Sequence, residues 1–247
     1  MNRSITLIIY FICAFFINDA IAQDNLKNLE AKATQKGTKT FNIVSLDGKN
    51  EKVKIIPDYV NSVLKITCMK DTITIPDFWK VQPEINLLNK NFIEIRYAVR
   101  GGTGIGLGNT LILCVNGSKL YEAMHVLRYI NGDSGDLKND YHIELALNGD
   151  SNDNYKLRLS IHDDVFSKRK PNINYVYNNQ TVLSFDTKQN AFYSIKEDIY
   201  DRSIKSGNGK KQKVNGNYPV IILGKQTYYF INNRWHQSVN TKELYEI

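Results

Sequence analysis

Ile161-His162-Asp163-Asp164 sets an imidazole beside two carboxylates, the residue types of an acid/base pair or a metal cluster. At a strand end the same triplet also reads as a solvated loop. The other histidines, His125, His142 and His236, stand far apart in sequence and form no His-x-x-x-His pair. Paired carboxylates for glycoside hydrolysis could be drawn from many positions and so discriminate nothing. No catalytic residue and no cofactor is assigned from these groups.

Two similar hexapeptides, NGDSGD (131–136) and NGDSND (148–153), crowd carboxylate and amide oxygens onto turns, as a calcium ion requires. Asp150, Asn152 and Asn154 fall at positions 1, 3 and 5 of an EF-hand-like loop. Position 6 is Tyr155 instead of Gly and position 12 is Ile161 instead of Glu, which excludes the EF-hand. A looser calcium site stands against two ordinary Asx turns, and no metal ligand is assigned.

Two further stretches resemble known motifs. GGTGIGL (101–107) resembles the glycine-rich ATP lid of the histidine-kinase ATPases, but no Asp-x-Gly adenine box precedes it and the strand-like TLILCV follows. It also lacks the lysine of a phosphate-cradling loop, and position 107 is Leu where the dinucleotide fingerprint needs glycine. It is expected to be a hairpin loop whose glycines permit a twist or bulge. Gly132-Asp133-Ser134-Gly135 resembles the nucleophile signature of chymotrypsin-like proteases. The chain continues Asp136-Leu137 instead of Gly-Pro, and its one upstream histidine, His125, lies only nine residues away, so no general base is placed.

Aromatic residues give a better lead. Trp79, Tyr228, Tyr229 and Trp235 are expected to bind, because QTYYFINNRWHQ alternates poorly and one face of that hairpin should show rings. Tyr and Trp on a rigid sheet suit sugar stacking or a protein interface. Cys68 and Cys114 sit in apolar strand-like runs, and an exported chain permits a disulfide between them; two buried free thiols are the equal alternative. SKRK (167–170) and GKKQK (209–213) are basic clusters in polar, turn-forming surroundings, and no nucleic-acid partner is inferred from them.

What must position these groups is an exported β domain. Arg3, the apolar run ITLIIYFICAFFI (5–17) and Ala20-Ile21-Ala22 form a signal peptide over 1–22, cleaved after Ala22. The run is too short for a membrane span, which needs about 20 apolar residues, and the mature chain has no transmembrane segment. A periplasmic or secreted location follows. Losing Arg3 and Asp19 with the leader leaves the net charge at +7, with the basic residues scattered.

A helical or flexible segment is expected over 23–38, then a single all-β domain over 39–247. Period-two runs separated by turns such as Asp47-Gly48 and Asn116-Gly117 predict an antiparallel meander of about 14–16 short strands. A β-sandwich is favoured over a propeller or barrel, and 205–219 is the best linker candidate. The function expected is binding, to a protein partner or an envelope glycan. The alternatives are a hydrolase on an extracellular polymer and a calcium-stabilised structural or adhesion module.

Overall fold

The computed structural model describes residues 37–102, 104–149, 154–205, 211–239 and 242–247. The expected signal peptide and nearly all of the expected 23–38 segment lie outside these residues. The described chain is all-β, with one short 3-10 turn at Pro171–Ile173. Among the described residues no helix is long and apolar enough to cross a membrane.

The first sheet is a meander of β1 (Lys39–Val44), β2 (Asn50–Asp58), β3 (Val63–Cys68) and β4 (Asp71–Ile75). The second has eight strands, each hydrogen-bonded to the next: β5 (Glu84–Leu87), β6 (Ile93–Val99), β7 (Ile105–Asn116), β8 (Lys119–Asp133), β9 (Leu137–Asn148), β10 (Lys156–Ser167), β11 (Tyr175–Asp186) and β12 (Ala191–Tyr193). A closed barrel follows, of β13 (Ile195–Lys205), β14 (Lys211–Leu223), β15 (Gln226–Ile231), β16 (Arg234–Ser238) and β17 (Glu243–Glu246). Parallel pairing of Ser203–Lys205 with Glu243–Tyr245 shuts it. The remaining pairings between strands are antiparallel, as a chain of hairpins requires.

Side-chain alternation stacks the sheets in a sandwich-like arrangement. Ile93, Ile95, Leu111, Leu113 and Val115 pack against Val53, Ile55, Leu64, Ile66 and Ile75 of the first sheet. From the other face Ile112, Cys114, Met124 and Val126 meet Leu157, Leu159, Leu183, Phe192 and, from the barrel, Tyr228 and Trp235. TLILCV is apolar throughout because β7 is buried on both faces. The barrel has its own interior of Val214, Val220, Tyr229, Ile231 and Leu244.

One sequence expectation is corrected here, and one open pair of alternatives is resolved. Of the linker candidate 205–219, residues 211–219 belong to one barrel strand, Lys211–Leu223, whose polar residues face outward around Val214, and 206–210 lie outside the described residues. The disulfide is not formed: Cys68 and Cys114 are free and buried. Cys68 belongs to the core between the first sheet and β6–β8, together with Leu113 and Val115. Cys114, between those two residues on β7, points to the opposite face and the other core. A strand separates the thiols, which no disulfide geometry spans.

Candidate functional site

From Lys119 to Arg128, β8 has a strand partner only on its β7 side, because β9 joins it at Tyr129–Asp133. The barrel covers this free edge. The Tyr228 hydroxyl accepts a hydrogen bond from the Leu127 N–H at 3.2 Å. The Trp235 indole N–H donates to the Glu122 carbonyl at 2.9 Å. Both rings are fully buried, so their polar tips satisfy edge groups that would otherwise be orphaned. Tyr229 is inside the barrel, its hydroxyl donating to Glu197 at 3.0 Å with the Arg202 guanidinium over its ring. The exposed aromatic face expected on this hairpin is thus absent, and Trp79 alone of the four is on the surface.

A groove opens where the barrel meets the sandwich. One hollow of about 470 Å³ is lined by Asp77, Tyr97, Arg100, Asn109, Gln237 and Tyr245, among others. A second, of about 460 Å³, is lined by Ser62, Asp77, Phe78, Trp79, Lys80 and Arg100. Asp77 and Arg100 border both, so the hollows adjoin. Phe78 is buried and bridges to Val99, and the Trp79 N–H donates to the Ala98 carbonyl at 2.8 Å. This tether fixes the Trp79 backbone while the ring stays 46% exposed. Among the described residues neither Asp77 nor Arg100 has an ion-pair partner within 4.0 Å.

Behind the groove runs a buried polar chain. Asn109 Nδ2 donates to the Tyr97 hydroxyl at 3.2 Å, and that hydroxyl meets His125 Nε2 at 2.6 Å. His125 Nδ1 is 3.4 Å from Glu122 Oε2, and Glu122 pairs with Arg234 of the barrel, which reaches Glu246 at 3.2 Å. Burial pushes the Tyr97 phenol well up, beyond the opposing effect of Asn109, so it stays protonated and donates to His125. Burial also raises Glu122, but the His125 hydrogen bond and the Arg234 guanidinium outweigh it and hold the carboxyl below the usual range. A phenol locked in its neutral form is a hydrogen-bond donor and a poor nucleophile. The chain therefore fixes Tyr97 and Asn109 in the wall of the groove.

The remaining sequence candidates separate. Strand alternation puts Asp163 on the buried face of β10, where it accepts from the Tyr175 hydroxyl at 2.7 Å, while His162 and Asp164 are on the other face. The triplet does not converge. In 131–136, Asp133 accepts from the Gly135 N–H at 2.8 Å and lies near Lys138, and Asp136 pairs with Arg169. This is an Asx turn neutralised by its own cations; Ser134 donates to the Leu137 carbonyl within it. Residues 150–153 lie outside the described residues. Of GGTGIGLGN, residues 105–109 are the start of β7, of which 107–109 pair with 99–97 of β6, and Thr103 lies outside the described residues.

The groove was not found by sequence reasoning, because its walls come from Ser62 in the β2–β3 turn, the β4–β5 connection, β6–β8, Gln237 and residues 245–247. No protein-family model matches this sequence, and no curated protein or solved structure is significantly similar to it.

Proposed function

We propose that this chain is an exported binding protein and that the groove takes an envelope glycan. The observation that carries this reading is the meeting of an exposed indole with planar polar groups along one cleft. Trp79 offers a flat apolar face to the C–H surface of a sugar ring. Asp77, Arg100, Asn109 and Gln237 offer the in-plane donors and acceptors that hydroxyl groups need. Asp77 and Arg100, unpaired among the described residues, gain partners when a ligand arrives. The hydrolase alternative would be favoured by His162, Asp163 and Asp164 sharing a cleft, and Asp163 lies on the opposite face of β10 from the other two.

Trp79 and Trp235 are the only tryptophans, and Trp235 is buried, so intrinsic fluorescence reports the groove. Soluble peptidoglycan fragments and neutral oligosaccharides should change the emission saturably in the chain from Gln23 onward. Trp79→Ala should abolish the change, and Arg100→Ala should weaken binding at least about tenfold. If every glycan leaves the emission unchanged while one envelope protein is retained through salt washes, the partner is a protein and the glycan reading fails.

A further inference from the structure

We propose that His142 and His162 form a surface site for a borderline divalent transition metal, zinc, nickel or copper, apart from the groove. The two histidines are 20 residues apart in sequence but directly opposed in the β9–β10 register. Their rings are 4.8 Å apart, centroid to centroid, and inclined by 34°. They border an open hollow with Glu144, Ser160, Asn178 and Gln180.

What distinguishes this pair from two solvated side chains is the far side of each ring. His142 Nδ1 faces Asp140 Oδ1 at 3.3 Å, and His162 Nδ1 faces Asn178 Oδ1 at 2.7 Å. An oxygen acceptor at each Nδ1 selects the tautomer with its proton there and leaves the Nε2 lone pair for a ligand. This is the supporting arrangement that metal-bound histidines use to fix ring orientation and basicity. Alternation puts Asp140 and Asp164, opposed two residues along the ladder, on the same face, with Glu144 two residues beyond His142. Three carboxylates thus share the sheet face with the two imidazoles, a field that favours a cation. Among the described residues no three His, Cys, Asp or Glu groups are close enough to hold a metal alone. The protein therefore supplies two imidazole ligands and water completes the coordination, as suits metals that accept nitrogen donors and retain water.

The test is calorimetric titration of the tag-free chain from Gln23 onward, freed of metal with EDTA, using zinc, nickel and copper chlorides. The expected result is one ion per chain. His142→Ala and His162→Ala should each weaken binding at least about tenfold, and Asn178→Ala should weaken it less. Affinity should fall on acidification, because protons compete with the metal for Nε2. Circular dichroism checks that the variants keep their strands. No binding by the wild-type chain at millimolar metal, or unchanged affinity in a folded His142→Ala/His162→Ala variant, would overturn the assignment. The fluorescence test of the groove is independent of either result.

Discussion

His125 Nε2 stands 2.6 Å from the phenol oxygen of Tyr97, with both side chains buried. The other ring nitrogen faces Glu122, whose second oxygen holds Arg234 on β16. One carboxylate thus orders the wall of the groove and ties the barrel to the free edge of β8. Truncating it leaves the buried His125 ring without its Nδ1 acceptor and leaves Arg234, which is partly exposed, with Glu246 as its remaining carboxylate.

Glu122→Ala is therefore expected to destabilise the fold by about 1–3 kcal/mol, the usual cost of leaving a buried hydrogen-bonding group unsatisfied. Urea unfolding should show a lower midpoint at an unchanged slope. The folded pKa of Glu122 lies below its ordinary 4.5. The stability it adds is hence present above that value and lost as pH falls through the folded pKa. The wild-type chain should lose this stability below about pH 4.5, and Glu122→Ala should lack that part of the acid dependence. Equal midpoints at neutral pH would mean that the network holds nothing together.

The thiols on opposite faces of β7 should be silent in the native protein. Burial, and then the charges of Glu51 and Asp71, push the Cys68 thiol up to about 11, and burial raises Cys114 further. Little thiolate is available to a disulfide reagent at pH 8. The chain from Gln23 onward should show almost no fast reaction when folded and two thiols when denatured without reductant. No reactive thiol after denaturation would demand a bridge between the two cores, contrary to the packing of Leu113, Cys114 and Val115.

How much of this was legible in the sequence depends on which interactions write it. Strands such as Ile93–Val99 and Lys156–Ser167 declare themselves because one face, or both, must be buried. β13 hides because its outward positions are charged and a bulge between Ile199 and Arg202 resets its alternation. β14 hides because its first half, KQKVNG, buries only Val214. The aromatic hairpin was located correctly as strand but assigned the wrong surroundings. Whether Tyr228 and Trp235 face water depends on the free edge of β8, a hundred residues earlier. The His142–His162 pair is different: any symmetrical hairpin turning at residue 152 opposes them, so a register argument could have found it.

The loop that looked like a nucleotide lid has its own structural reason for glycine. Gly108 lies opposite Tyr129 in the β7–β8 ladder, and the tyrosine ring lies across it. A Cβ at 108 would come within 2.1 Å of ring atom Cε1, whereas one at Gly106 would come no nearer than 3.5 Å. Gly108→Ala must displace the ring and should cost about 1–3 kcal/mol, the range for an overfilled contact. Gly106→Ala makes an ordinary contact and should be close to neutral, helped by the reduced freedom of its unfolded chain. In Tyr129→Ala the obstacle is gone, so adding Gly108→Ala should then cost far less than it does in the wild-type chain. Thermal unfolding of the four proteins of that cycle gives the coupling directly. Strict additivity would show that the ring does not rest on Gly108, and the glycines would then need a ligand to explain them.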